Sequence, residues 1–229
     1  MREIVLDTET TGLDPATGDR IVEIGCVELL NHVPTGQTFQ AYVNPERDVP
    51  AQAFAVHGLS REFLSAHPVF ADIAQSFAEF IADSRLIIHN AAFDLGFVNA
   101  EFVRIDMAPL PPDRAVDTVQ MARRKFPGAP ANLDALCSRF GVDVSDRALH
   151  GALKDALLLA QVYLELIGGR QPDLSFLAKG GAKSAAAVAG LAGPGLSAQR
   201  APRAHAPTDA EGAAHAAFLA KLKDPVWSA

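Results

Sequence analysis

Cysteine is nearly absent: Cys26 and Cys137 are the only two among 229 residues. Each lies in an apolar pattern ("IGCVEL", "DALCSRF"), so both are expected as small core residues of a protein in a reducing compartment. Two isolated cysteines also lack the spacing of a zinc site. No apolar run approaches the length of a membrane span. Arg2 and Glu3 lead directly into a strand pattern, without the apolar region and cleavage site of a signal peptide, and a cytoplasmic protein is expected. A basic excess is missing as well. The net charge is −7, which argues against holding nucleic acid by a broad basic surface. What is present is a hydrophobic content of 49% against 21% charged residues, enough for a packed core in one sizeable domain with something smaller attached.

The smaller part announces itself by a change of composition. The acidic excess lies entirely in residues 1–177, whereas residues 178–229 are net basic. Within the first part, residues 3–8, 21–30 and 37–43 read as strands, with "TGQTF" offering a turn before the third. Three strands joined by short loops suggest an antiparallel meander. Then the pattern alternates. A helix is predicted over 70–83 with Ile73, Phe77 and Phe80/Ile81 on one face. A buried strand follows at 85–90, a helix at 93–104 with Leu95, Val98 and Phe102 as its stripe, and a short strand at 114–118. Helices are predicted over 118–126, 132–140 and 152–167. The fold class is α/β: a mixed sheet, meander first and βα units after, flanked by helices.

Past residue 177 the periodicity stops. Residues 178–207 are dominated by Ala, Gly, Pro and Ser, the composition of a flexible linker. An Ala-rich helix near 182–192 is the alternative, but Gly190, Gly193, Pro194 and Gly195 would end it. Structure resumes at 208–229. Thr208 and Glu211 form a capping box, and Phe218, Leu219 and Leu222 a stripe. The chain ends in "DPVWSA" with its only tryptophan, Trp227. A lone short amphipathic helix cannot bury itself, so it is expected to dock on a partner.

The chemistry concentrates in acids placed where a sheet does not want them. "VLDTETTG" reads as a strand, yet carries Asp7 and Glu9 two positions apart. Alternation sends both carboxylates to one face, roughly 7 Å apart at Cα, with Leu6 and Thr8 opposite. Like charges on one face repel. Asp94 lies in the first turn of a helix just after a buried strand, in "IIHNAAFD". Asp155 lies on the last helix of the first part, in "HGALKDALLLA", with His150 five residues before it. Five helical positions turn about 500°, so the two side chains would diverge if both were helical. His150 is therefore expected in the loop entering the helix, aimed at the same place from another side. Taken singly, each has a plain reading: Asp94 as an acid complementing the helix dipole, Asp155 on a solvated face, His150 as a capping or surface histidine, and Asp7 with Glu9 as edge-strand charge.

Together and in order, "DTETTG", "HNAAFD" and "HGALKDA" resemble the three motifs of DEDD-type exonucleases, and the histidine five before the last aspartate marks the subgroup with a catalytic histidine. The resemblance covers roughly residues 3–168. Further matches at "AFAVHG" (53–58), "FPG" (126–128) and "NLDALC" (132–137) are similar to the proofreading subunits of bacterial replicative DNA polymerases. The resemblance implies a ribonuclease H-like sheet and two divalent cations, Mg²⁺ or Mn²⁺, held by Asp7, Glu9, Asp94 and Asp155. It implies His150 as general base and 3′–5′ removal of 5′-mononucleotides from a single-stranded or frayed DNA end. Thr10, Leu13, Gln52 and His57 match positions that border the terminal nucleotide, together with Asp7, Glu9 and Asp155; some relatives carry Glu at the Gln52 position. It also implies partners: the catalytic (alpha) subunit of bacterial DNA polymerase III, docked by Phe218, Leu222 and Trp227, and the sliding clamp, bound by "QPDLSF" through Gln171, Leu174 and Phe176. That short motif reads equally as an ordinary C-terminal loop. Whether a small accessory subunit also binds stays open.

The closest alternative is a free-standing 3′–5′ exoribonuclease of the same fold, like ribonuclease T or oligoribonuclease. Such an enzyme needs neither linker nor docking helix. A binding module on a dead nuclease fold is disfavoured because all five catalytic-type residues are present.

Overall fold

The computed structural model describes residues 1–145, 149–168 and 208–221. The chain divides into two units, residues 1–172 and 173–229.

Five strands make one sheet: β1 (Arg2–Thr10), β2 (Ile21–Leu30), β3 (Val33–Tyr42), β4 (Arg85–Ile88) and β5 (Ala115–Asp117). Their order is β3-β2-β1-β4-β5. β1–β2 and β2–β3 pair antiparallel, while β4 joins β1 and β5 joins β4 in parallel. The expected meander followed by βα units is what forms. One turn lies elsewhere. Leu30 pairs with Val33, so Asn31 and His32 are the whole β2–β3 loop, with φ of 51° and 68°. A two-residue hairpin needs positive φ at both positions and matches the strand twist; asparagine tolerates that region well. Thr35 and Gly36 fall inside β3 instead.

Helices cover both faces. α1 (Ala51–His57) and α2 (Arg61–Ser65) are short and carry little periodicity, which is why the pattern did not declare them. α3 (Phe70–Ile81) and α4 (Ala91–Arg104) pack on one face of the sheet; α5 (Thr118–Lys125), α6 (Leu133–Phe140) and α7 (Ala152–Ile167) pack on the other. β1 feeds both cores by alternation: Ile4 and Leu6 meet Phe77, Phe97 and Phe102, while Val5 meets Leu136, Leu159 and Val162. The stripe of α3 is rotated from the expected one. Phe70, Ala74, Phe77 and Ile81 are its buried residues, whereas Ile73 and Phe80 are half-buried at the margin. The spacing i, i+4, i+7, i+11 of the observed set fits a single helical face better. Leu95, Val98 and Phe102 of α4 are buried as expected. Cys26 and Cys137 are both buried, one in each core.

In the second unit, α8 (Asp209–Leu219) begins with the full capping box: Thr208 Oγ1 accepts from the Glu211 amide and Glu211 accepts from the Thr208 amide. No residue of α8 is buried, and Phe218 is 55% exposed. Gln171, Leu174, Phe176, Leu222, Trp227 and the expected linker lie outside the described residues. Among the described residues, no helix is long and apolar enough to cross a membrane.

Candidate active site

The site forms because β1 is longer than its parallel neighbour. β4 pairs with β1 only from Glu3 to Leu6. Thr8 thus lies beyond the ladder on that side, and its amide needs another acceptor. Asp94 supplies it. The chain leaves β4, passes Asn90 in the left-handed region (φ 70°) and starts α4, which brings Asp94 back against β1. The Thr8 amide and hydroxyl both donate to Asp94 Oδ1, at 3.0 and 2.7 Å. Asp94 is 3% exposed. Burial pushes its carboxyl up to about 7; the two Thr8 hydrogen bonds pull it down and the charge of Asp117 pushes it up.

That shift carries a prediction for the metal-free protein. Asp94 ionises near pH 4 in the unfolded chain. Its folded value is higher, so the unfolded state loses the proton first as pH rises. Asp94 costs nothing below its unfolded pKa, and the penalty grows to its full size as pH passes about 7. Asp94→Asn keeps an oxygen for both Thr8 donors and removes the charge. In EDTA it should melt above the parent at pH 8, with the difference closing at pH 4. Thermal melts at the two pH values check this; a lower melting temperature for the variant at pH 8 would contradict it.

Asp7 and Glu9 point to the face that α7 covers. Asp7 is half-buried and Glu9 is 8% exposed. His150 precedes the helix, Gly151 is its N-cap, and Asp155 sits in its first turn. His150 thus lies in the entering loop, as the spacing required. Its amide donates to the Val56 carbonyl at 3.2 Å, and its Nδ1 is 3.1 Å from Asp155 Oδ2. The imidazole is 47% exposed and the Asp155 side chain only 5%. Ligand atoms of Glu9, His150 and Asp155 all fall within 4.8 Å of one another. Glu9 and Asp155 are two nearly buried carboxylates whose oxygens suit a hard divalent cation, whereas Asp7, one pleat before Glu9 on the same face, and Asp94, behind Thr8, are not in that close group. The sequence aims His150 at this place as a base and not as a ligand; the tertiary structure puts its nitrogen among the ligand atoms.

Beside the carboxylates opens a cavity of about 460 Å³. Thr10, Leu13, Gln52 and His57 all line it, as do Val56 and Phe93, which the sequence reading did not single out. Phe93 directly precedes Asp94 in "AAFD", the one signal that could have found it. Leu13 stands at the rim, 84% exposed. The loop beneath it is fixed by Thr10 Oγ1 donating to the Gly12 carbonyl at 2.6 Å. A Cβ at Gly12 would meet the Asp19 carboxylate at 2.1 Å, so a larger residue there would have to displace that side chain. His57 ends α1 and is 5% exposed. The Leu59 amide donates to its Nδ1 at 3.0 Å, which leaves the proton on Nε2. Burial lowers its pKa, against a contribution from the Thr10 backbone that raises it. His89, in the same "HNAAFD" segment, is another residue the sequence reading passed over. Its Nδ1 lies 2.8 Å from Thr118 Oγ1, and burial lowers its pKa while the carboxylates of Asp117 and Asp155 raise it.

Residues 4–163 match the exonuclease family RNase_T. The chain is 57% identical over 182 residues to the DNA polymerase III subunit epsilon of Rickettsia felis, covering 78% of this chain and 80% of that one. Against the subunit epsilon of Escherichia coli K12 it is 45% identical over 187 residues, covering 78% and 76%. Among solved structures, Exonuclease X in complex with 5′ overhanging duplex DNA aligns with a TM-score of 0.57 at 25% identity, over 72% of this chain and 90% of that one. The nuclease domain of 3′hExo, a DEDDh family member bound to rAMP, shares the fold with a TM-score of 0.62 at 18% identity, over 72% and 91%. A match that runs from β1 into α7, and so takes in every element that delivers a carboxylate to the site, shows that this chain belongs to the exonuclease family.

Proposed function

We propose that the chain is the 3′–5′ proofreading exonuclease of a bacterial DNA polymerase III holoenzyme, removing mispaired 3′-terminal nucleotides from DNA as 5′-mononucleotides. The observation that carries this reading is the convergence of Glu9, His150 and Asp155 in a chain 57% identical to an epsilon subunit over 182 residues. Asp7, Glu9, Asp94 and Asp155 hold two divalent cations, Mg²⁺ or Mn²⁺. Bound there, such ions supply Lewis-acid activation of water and stabilise negative charge on the leaving 3′ oxygen. Thr10, Leu13, Gln52 and His57 hold the terminal nucleotide, with Val56 and Phe93 adding apolar wall. His150 takes the proton of the attacking water. Its exposure leaves it open to solvent, and the Asp155 contact restrains the ring orientation.

The acidic balance of the chain fits a proofreader held at the primer end by its partners, for which intrinsic DNA affinity matters less than effective concentration. The tail supplies that tether. Phe218, Leu222 and Trp227 dock on the polymerase alpha subunit, Gln171, Leu174 and Phe176 bind the sliding clamp, and residues 178–207 link the two. A fragment of residues 1–177 should keep full activity on a free single-stranded end and fail to co-purify with the polymerase. Leu174→Ala with Phe176→Ala should lose the clamp alone. Pull-downs of both check this, and a 1–177 fragment that still holds polymerase tightly would remove the tail as tether.

The deciding experiment mixes the purified chain and Mg²⁺ with end-labelled single-stranded DNA or RNA. Stepwise 3′ shortening of DNA with release of 5′-mononucleotides is expected. Hydrolysis confined to RNA would favour the free-standing exoribonuclease instead.

A further inference from the structure

One buried carboxylate next to the site is not a member of the metal or base set. Glu23 lies on β2, is 3% exposed, and stands directly across the ladder from Glu9. An acid on a buried strand is costly unless its oxygens are satisfied. Both are: Gln40 Nε2 donates to Oε1 at 2.8 Å, and the Ala152 amide donates to Oε2 at 3.1 Å. Ala152 is the first residue of α7, two beyond His150 and three before Asp155. The first amides of a helix have no partner within it, and Gly151 has no side chain to serve as a cap. Glu23 therefore caps α7 from a remote strand, with its negative charge at the positive end of the helix dipole.

The next rung on the same face makes the same contact by shape. Gly25 pairs with Asp7, and a Cβ on Gly25 would lie 2.2 Å from the Ala152 carbonyl carbon and from the Leu153 nitrogen. β2 and the first turn of α7 thus touch backbone to backbone. Two successive same-face rungs of the β1–β2 ladder, with Thr8–Ile24 between them, present Asp7 and Glu9 on one strand and hold the start of α7 on the other.

We infer that Glu23 is a positioning residue for the hydrolytic site, setting the separation of Glu9 from His150 and Asp155 through its hydrogen bond to the Ala152 amide. The inference rests on the proposed nuclease function for its kinetic arm and on the donor cluster alone for its metal arm. Residues that orient metal ligands from behind are typically worth about 10- to 100-fold in metal affinity or activity. The nucleotide cavity beside Leu13 and His57 is not built on this hydrogen bond, so KM should stay put while kcat falls.

The test uses the full chain with three substitutions at one position. Glu23→Gln keeps an oxygen at the same reach for Ala152, and Gln40 can turn its amide to match. Glu23→Asp keeps the charge but withdraws it by one methylene. Glu23→Ala removes both. Mn²⁺ affinity by calorimetry, kcat and KM on a single-stranded DNA oligonucleotide, and melting temperature are read for each. Expected is a loss of about 10- to 100-fold in Mn²⁺ affinity or kcat for Ala, a clear loss for Asp, near-parental behaviour for Gln, and KM unchanged throughout. A residue that only stabilised the fold would lower the melting temperature and leave kcat of the folded fraction alone. Parental kcat and Mn²⁺ affinity in Ala, or Asp equal to or better than Gln, would overturn the inference. If Ala does not fold, the order of Gln and Asp decides. A parent that hydrolyses nothing, with Mn²⁺ affinity still falling in Ala and Asp, would sink the proposed function and leave this one standing.

Discussion

Asp155→Ala is expected to abolish hydrolysis of a single-stranded 3′ end in Mg²⁺ or Mn²⁺, by at least ~10³-fold, a loss of roughly 4 kcal/mol in transition-state stabilisation. Asp155 is the inner carboxylate of the site: its side chain is 5% exposed, it meets His150 at 3.1 Å, and it shares the donor cluster with Glu9. On the proposed assignment, removing it takes a ligand from the cation and the orienting partner from the imidazole together, so water cannot compensate in place. The fold should survive, since the first-turn amide of residue 155 bonds the Gly151 carbonyl whatever its side chain. Metal-free, the variant should melt at or above the parent temperature, because one member of a crowded acidic set is gone. With Mn²⁺ the order should reverse, as only the parent gains stability from binding. Asp7→Ala should behave alike. Either variant showing parental turnover in Mg²⁺ would remove the metal assignment.

His150→Ala should lower turnover by about 10²–10⁴-fold, the usual range for loss of a general base. A general base must be unprotonated to act, so a rate that depends on one carries an acidic limb. Without the ring that acidic limb should flatten. The sequence assigned His150 no ligand role, and Mn²⁺ affinity should therefore survive the substitution. The structure makes this a sharper test than the sequence did, because Nδ1 lies inside the group of ligand atoms. A large loss of Mn²⁺ affinity with an unchanged pH limb would make His150 a metal ligand and leave the base unassigned.

The parts of the molecule that were legible from sequence share a physical cause. Long apolar periodicities declared β1, β2, α4 and α7, since burial of one face leaves a regular imprint. The position of His150 was also legible: five residues on a helix diverge, so convergence with Asp155 demanded a loop, and Gly151 marks the break. Short elements left no imprint. α1 and α2 span seven and five residues, and the β2–β3 turn was assigned to Thr35 and Gly36 because glycine is the stronger turn signal, although Asn31 and His32 carry it. In α3 the aromatic Phe80 drew the stripe aside, while the tighter face runs through the small Ala74.

By itself the sequence determined the candidates for the site, four acids and one histidine in three ordered segments, and the mixed α/β fold that carries them. Local chemistry is enough for that, because residue type and element period are local properties. The tertiary structure alone decided how they meet. Asp94 reaches Thr8 because β4 ends where β1 continues. His57 and Phe93 share a cavity with Leu13 because α1 and α4 close over one loop. Glu23 caps a helix that begins 129 residues away. Strand length mismatch, close approach of glycine backbone and remote capping are relations between elements, and a single chain position carries no trace of the partner it will find.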